Sequence, residues 1–389
     1  MRILVLQPVI PTYRKRVFEI LSASSDPIFT IVAGNRAVGL RTLQGNELQK
    51  IRHYLVEPRN IQFFSRDSLA WYPEAWRLVR DKKPDCVIIT GNVYDLTSWL
   101  VLLWGRWCNI PVLAWTHGLK KPEFGPKWWF RRAFYNLARG LFLYGNYAKK
   151  LLIEGGLSVD RIHVIYNSLD ILLQQAAEAK VYEEDVQQLR KELEIATNAS
   201  VLIFIGRILS RRGLSITLKA ISIFKAQGRD IHLLFIGDGD DTNNLRDLSI
   251  RLGIGNKAHF IGAIHDEVEI AKYMKLSAAA VILGGGLPII HPMGYGVPPI
   301  ISDNLADHGP EWEAVEEGKT GYFFRDNDLN SLVSTINRCF EDETKRLLIS
   351  KNARKRAIER YSSEHHAMRI IEGIYRFTDL DRNMVKNTD

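Results

Sequence analysis

The run Val201-Leu202-Ile203-Phe204-Ile205-Gly206-Arg207-Ile208-Leu209-Ser210-Arg211-Arg212-Gly213 decides the architecture. Its opening apolar residues do not alternate with polar ones, the signature of a strand buried on both faces of a parallel sheet. Gly206 ends that run. Beyond Gly213, Leu214, Leu218, Ile221 and Phe224 share one helical face. The unit is strand, glycine turn, helix, and it recurs. Strand-like runs lie at Ile3–Leu6, Phe29–Ala33, Cys86–Thr90, Val112–Thr116, Leu141–Leu143 and Ile162–Tyr166. A second set follows at Val201–Ile205, His232–Ile236, Ala258–Ile261, Ala279–Leu283 and Pro299–Ser302. Helix-length segments separate them, so the expected fold class is α/β, with two Rossmann-like doubly wound domains.

The 389 residues suffice for two domains. A polar, charged stretch divides the two strand sets. The expected organisation is a first domain at 1–170, a linker at 171–198, a second domain at 199–361, and a C-terminal helix at 362–378 that returns to the first domain. Charge is divided unevenly: residues 1–170 carry 24 Lys and Arg against 13 Asp and Glu, a net of +11, and the remainder carries 28 against 31, a net of −3. A basic first half suits an anionic partner such as lipid, nucleic acid or a phosphate-bearing substrate. No nucleic-acid recognition motif accompanies it. Cys86, Cys108 and Cys339 lack metal-ligand spacing and are expected to be reduced, buried thiols of a cytoplasmic protein. Met1-Arg2 runs straight into a strand-like segment and does not read as a signal peptide. The apolar stretch from Leu96 to Trp115 is interrupted by Arg106, Asn109 and Pro111, which favours a buried helix followed by a strand over a membrane span.

Two glycine-bearing turns carry the chemistry. One is Gly206-Arg207 with Arg211-Arg212-Gly213. The other is Gly284-Gly285-Gly286-Leu287-Pro288-Ile289-Ile290-His291-Pro292-Met293-Gly294. Each follows a strand and opens a helix, which aims backbone N–H groups at an anion. Small residues let a ligand approach the main chain closely. With two arginines supplied, the pair reads as a nucleoside-diphosphate pocket. Its simpler rival is a solvated basic loop beside a tight turn. Asp238-Gly239-Asp240-Asp241 imitates a metal-binding Asp-x-Asp sequence, but no further carboxylates are placed to complete a hard-cation shell, and no metal is expected. In the first half, Tyr13-Arg14-Lys15-Arg16 follows the first strand. Lys127-Trp128-Trp129-Phe130-Arg131-Arg132 mixes aromatic and basic side chains on one helix, a composition suited to an anionic membrane interface or to a helix with aromatics in the core and solvated arginines.

The order of these segments resembles glycosyltransferase family 4, retaining enzymes of the GT-B fold, over almost the whole chain. The pieces are Thr116-His117-Gly118, Ile165-Tyr166-Asn167-Ser168-Leu169-Asp170, Gly206-Arg207 with Arg212-Gly213, Phe235-Ile236-Gly237-Asp238-Gly239, Phe260-Ile261-Gly262, Gly286-Leu287-Pro288, and Glu313 with Glu317-Gly318-Lys319-Thr320-Gly321. The resemblance implies a donor nucleoside-diphosphate sugar held by the second domain and an acceptor glycan or lipid-linked glycan held by the first, with no cofactor. Arg207 and Arg212 match the family's basic pair on the donor diphosphate, with Arg211 as a stand-in. His117 matches a histidine that faces the donor sugar. Gly206, Gly237, Asp238, Ile261, Gly285, Gly286 and Leu287 match the donor-binding backbone, and Glu313 a glutamate near the ribose. Tyr13, Arg14, Lys127, Trp128, Arg131 and Arg132 become candidates for acceptor or membrane contact, and the protein is expected on the inner face of a membrane.

The chain departs from that pattern at one place. The family carries two glutamates separated by seven residues, where this sequence has Leu283 and His291. His291 can still hydrogen-bond a hydroxyl, and Glu311 or Glu313 can take over the ribose. Acidic residues also suit a helix N-terminus for purely structural reasons. Loss of both glutamates keeps two rivals open: a non-catalytic nucleotide-sugar binder and a nucleotide-sugar epimerase.

Overall fold

The computed structural model describes residues 1–35, 41–64 and 67–385. The chain divides into two compact units: Met1–Ser168 together with the chain from Ser363 onward, and Leu169–Ser362.

The first unit is built on β1 (Arg2–Gln7), β2 (Ile28–Gly34) and β3 (His53–Val56). A hairpin follows, β4 (Arg59–Phe64) and β5 (Asp67–Trp71). The main sheet resumes with β6 (Cys86–Thr90), β7 (Val112–Thr116), β8 (Gly140–Leu143) and β9 (Ile162–Val164). Seven strands run in the order β3-β2-β1-β6-β7-β8-β9, and every pair is parallel. Apolar clusters cover both faces, one including Val87, Leu102 and Phe134 and the other Phe18, Ile88 and Trp115. This two-sided burial is why the strands read as continuous apolar runs. The last helix, Ser363–Val385, packs on the helix Lys15–Ala23 and on β8. His366 Nδ1 lies 2.9 Å from Ser168 Oγ, fastening that helix to the exit of β9.

The second unit holds β10 (Ser200–Ile205), β11 (Ile231–Ile236), β12 (Ala258–Gly262), β13 (Ala279–Ile282), β14 (Pro299–Ser302) and β15 (Tyr322–Phe324). Its six strands run β12-β11-β10-β13-β14-β15, again all parallel. Strand order reverses at β1 in one unit and at β10 in the other. The ends of those strands are where an open α/β sheet places its ligands.

Three expectations need correction. Segment 171–198 contains two helices, Ile171–Glu178 and Glu183–Glu192. Both pack on the helix Glu267–Leu276, because Ile171, Ala177, Val186 and Leu189 give the polar stretch a buried face. Cys108 is exposed, since it caps the C-terminus of the helix Leu96–Trp107 and points away from the sheet. Strands β3 and β15 and the hairpin β4–β5 escaped the sequence reading: β3 is an edge strand of mixed polarity, and β15 has three residues.

Candidate functional site

In the second unit the loops leaving β10 and β13 meet. Gly206 ends β10 with φ of 139°, a left-handed conformation that favours glycine. Its N–H donates to the Ile236 carbonyl at 2.9 Å. Gly237 ends β11 with φ of 137°, and a side chain there would strike the Gly206 carbonyl. The two strand ends are therefore pressed together by glycine on both sides. Gly285, with φ of 121°, stands after β13, and Gly286 caps the helix Leu287–Gly294. In the first turn of that helix Pro288 has no N–H and Ile289 N donates to the Gly286 carbonyl at 2.9 Å.

Arg212 closes a short 3-10 helix, Ser210–Arg212. A Cβ added to Gly206 would sit 3.2 Å from Arg212 Nη1, and one added to Gly285 would sit 3.7 Å from Nη2. The guanidinium thus lies between the two glycine turns. It also lies over the Phe204 ring, 5.9 Å from its centroid. Nη1 is buried without a hydrogen-bond partner. Burial first, then the charges of Arg211 and Arg207, push the Arg212 pKa down. The group stays protonated at neutral pH. Arg207 and Arg211 are exposed on the same loop. Three cations thus lie on one loop beside the glycine turns, where an anion would relieve the repulsion among them.

The flanking residues sort themselves by partner. Asp238 is exposed and accepts from Gly239 N at 2.7 Å and from the Thr242 hydroxyl at 2.9 Å; these bonds, Thr242 first, hold its pKa low. Asp240 accepts from Ser210 N at 3.0 Å, tying the arginine loop to the loop after β11. Ile261 is half-buried on the edge strand β12. Glu311 is buried, and its carboxylate occupies the space a side chain on Gly286 or Gly309 would need. Glu313 is half-buried on the same 3-10 helix, Pro310–Ala314. His308 buttresses the glycine loop: its Nε2 lies 3.2 Å from Ser302 Oγ, and Gly309 N donates to Gly285 O at 2.7 Å.

His291 faces a partner the sequence did not suggest. Its Nε2 lies 3.0 Å from Glu267 Oε1, which also accepts the Tyr295 hydroxyl at 2.7 Å. Burial raises the Glu267 pKa, but the bond and charge of His291 outweigh it, so the net shift is downward. Only Nδ1 of His291 is left for a ligand, and it is buried without a protein partner. Leu283 is in the core.

The first unit assembles a second cluster at the ends of β1, β7 and β8. Arg14 closes the 3-10 helix Thr12–Arg14 and is buried, 8% exposed. It donates from Nη1 to Gln7 Oε1 at 3.0 Å and from Nη2 to the Tyr144 hydroxyl. Its guanidinium carbon lies 4.7 Å from the Trp115 ring centroid and 5.5 Å from that of Tyr13. The His117 ring lies against Tyr144, with centroids 4.6 Å apart and planes tilted by 50°, yet remains exposed. Crowding at the strand end, then the charges of Arg14 and Lys120, lower its pKa to about 4. Because one side of His117 is in water, the two cations are the firmer cause. Gln7, Trp115 and Tyr144 were not foreseen; the available signal was their shared place at the carboxyl ends of parallel strands.

On the helix Gly125–Leu137 the basic and aromatic residues separate. Trp128 is a correction: it is buried, packed against Gly155, and forms part of the core rather than a surface. Trp129 and Phe130 are exposed. Arg131 binds Glu123 at 2.9 Å, Lys127 lies 3.4 Å from the same carboxylate, and Arg132 donates to the Gly156 carbonyl at 3.1 Å.

Two family models match this chain: Glycosyltransferase Family 4 over residues 31–171 and Glycosyl transferases group 1 over residues 185–356. The chain belongs to the family 4-like glycosyltransferases. An uncharacterized glycosyltransferase of Methanocaldococcus jannaschii, MJ1607, is 24% identical over 54% of this chain and 52% of its own length. The lipopolysaccharide core biosynthesis glycosyltransferase LpsE of Rhizobium meliloti is 22% identical over 45% of this chain and 49% of its own. The chain therefore spans about half the length of these curated relatives. Among solved structures, Anabaena Alr3699/HepE in complex with UDP superposes with a TM-score of 0.71 and 20% identity, covering 96% of this chain and 99% of that one. At that identity the likeness is one of fold.

Proposed function

We propose that this protein transfers a sugar, with retention of anomeric configuration, from a nucleoside-diphosphate sugar to a glycan or lipid-linked acceptor in surface polysaccharide or glycolipid synthesis. The observation that carries the reading is Arg212, a half-buried arginine between the Gly206 and Gly285 turns whose Nη1 is buried without a hydrogen-bond partner. A departing nucleoside diphosphate gains negative charge as the glycosidic bond breaks, and fixed cations placed there stabilise it. Arg207 supplies a second charge on the same loop, so the reaction needs neither a metal nor a cofactor for that step. The likeness to a fold that holds UDP and UDP-glucose in Alr3699/HepE supports a uridine-diphosphate donor. Ile261 with the neighbouring backbone seats the base.

The acceptor is membrane-borne in this reading, and the protein sits peripherally on an anionic surface. Among the described residues no helix is long and apolar enough to cross a membrane. Leu100, Leu103 and Trp107 instead form an exposed face of the helix Leu96–Trp107. Trp129 and Phe130 are exposed on the next helix, and Phe130 touches Trp99 with ring centroids 5.1 Å apart. Arg106, Lys127 and Arg132 lie on the same two helices and suit anionic headgroups.

A thermal-shift comparison of UDP-, GDP-, ADP- and dTDP-sugars tests the donor, since a bound ligand raises the melting point. One nucleotide class should stabilise the protein, and Arg212→Met should abolish that shift. Stabilisation by none of them refutes the reading. Binding with no transfer to any acceptor, and no change in the free sugar nucleotide, would instead favour a non-catalytic binder, to which the absence of glutamates at Leu283 and His291 lends weight.

A further inference from the structure

We propose that Arg14 is the receptor for an oxyanion on the acceptor, a phosphate or carboxylate group carried by the molecule to which the sugar is transferred. This deepens the glycosyl-transfer reading and rests on it.

The first support is positional. Arg14 and Arg212 occupy the same place in their two units. Each lies seven residues beyond the last residue of a switch-point strand, Gln7 of β1 or Ile205 of β10. Each closes a three-residue 3-10 helix that leads into the next α-helix, Lys15–Ala23 or Ser215–Ala226. Each guanidinium lies over an aromatic ring, Trp115 or Phe204. Nothing in the amino-acid composition requires the two units to share such a residue.

The second support is electrostatic. A buried cation is costly unless something nearby balances it. No carboxylate pairs with Arg14 among the described residues; its partners Gln7 and Tyr144 are neutral. They take two of the five N–H groups of a guanidinium. Nε is buried with no partner at all. Its ionisable neighbours bring no compensating charge: His366 is held neutral by burial first and then by Arg14, the His117 pKa is lowered by crowding at the strand end and by Arg14 and Lys120, and Lys120 is a further cation. The box is open on one side, because His117, which lies against Tyr144, is exposed. An oxyanion entering past His117 would meet the unused N–H groups and supply the missing charge. The planar fork of arginine suits phosphate and carboxylate alike.

Histidine-ring NMR on the full chain tests this. The His117 signal is identified by its loss in His117→Gln. Glucose 6-phosphate, glucuronate and uridine diphosphate are then added separately at several pH values. An anion beside Arg14 should raise the His117 titration midpoint by about one pH unit, since a neighbouring charge moves a pKa by about that much or more. A response to glucose 6-phosphate assigns a phosphate, and a response to glucuronate assigns a carboxylate. Arg14→Met should titrate higher without ligand and should not respond. Should Arg14→Met fail to fold, Arg14→Lys, which keeps the charge but loses the fork, should respond more weakly. No response in the wild type, a response to uridine diphosphate alone, or an undiminished response in either Arg14 variant overturns the proposal. Nucleotide binding measured by thermal shift separates the failures. A protein that binds nucleotide but shows no anion response sinks this inference alone, whereas one that binds no nucleotide sinks the reading beneath it.

Discussion

Arg212 and Arg14 stand at matching points of two similar sheets, yet their surroundings differ. Around Arg212 the chain is stripped to glycine: Gly206 directly after β10, Gly237 after β11, and Gly285 after β13. Around Arg14 the equivalent space is filled by Trp115, Tyr144, Tyr13 and Gln7. The residue directly after β1, matching Gly206, is Pro8. Proline has no N–H and cannot adopt the positive φ of Gly206. A ligand at Arg212 can therefore be gripped by backbone, as a diphosphate requires. A ligand at Arg14 meets rings, hydroxyls and an amide. One strand end thus offers a ligand backbone and the other offers it side chains; in the proposed reading the first suits the diphosphate of a sugar nucleotide and the second suits selection of the acceptor.

The largest expected effect tests the glycine-lined half. Arg207→Ala combined with Arg212→Ala should lower the turnover rate by roughly three orders of magnitude, about 4 kcal/mol of transition-state stabilisation. The melting temperature should hardly change, because Arg207 is exposed and Arg212 lacks a protein partner at Nη1. Normal transfer by the double variant would remove the proposed diphosphate site. Next in size is Gly237→Ala. Its Cβ would collide with the Gly206 carbonyl at a φ of 137°, so unfolding free energy should fall by about 3 kcal/mol in chemical denaturation. Pro8→Gly at the matching edge of the first unit should cost about 1 kcal/mol or less, through the unfolded chain. Equal losses at the two positions would mean that the contrast is not built into the backbone.

Substituting Arg14 separates the two arginines kinetically. Arg14→Met should raise the acceptor KM roughly tenfold, near 1.4 kcal/mol, and leave the donor KM unchanged. Arg212→Met should do the reverse, with a fall in kcat as well. An Arg14 variant that weakens only the donor would make the first-unit cluster an extension of the diphosphate site.

The sequence carried the two sheets and the second-unit site further than the first-unit site, for physical reasons. Strands buried on both faces leave uninterrupted apolar runs, and β1, β6, β7, β10, β11 and β13 were all visible that way. Glycine turns at strand ends mark close backbone approach, so Gly206, Gly237 and Gly285 could be read one at a time. The cluster around Arg14 could not. Gln7, Trp115 and Tyr144 stand at the ends of three strands, Gln7 more than a hundred positions before the other two, and none carries a local signature. Glu267 was invisible for the same reason: its tie to His291 and Tyr295 is made between helices. Trp128 and Trp129 are neighbours with opposite fates, one in the core and one in solvent, which helical phase decides and composition does not.

The smallest expected effect is in pH dependence, and it too distinguishes the halves. His366 is fully buried, and burial first, then Arg14, holds its pKa well below 6.5. The unfolded chain takes up a proton on this side chain as pH falls through about 6.5, whereas the folded chain does not. The neutral histidine therefore contributes its full stability above that pH, and the contribution is lost as pH falls further. Between pH 6.5 and 5.5 the loss should approach roughly 1 kcal/mol, visible as a lower thermal midpoint. His366→Gln should be less stable at pH 7.5, having lost the imidazole beside Ser168 Oγ, but its midpoint should fall less on acidification. Arg14→Met should also flatten the acid response, because it removes one of the two causes of the shift. Arg212→Met should leave that response as it is, since the groups that perturb Arg212 are other arginines and no histidine. If Arg212→Met flattened the curve as much as Arg14→Met does, acid sensitivity would not belong to the aromatic-lined half, and the contrast between the two arginines would lose its electrostatic part.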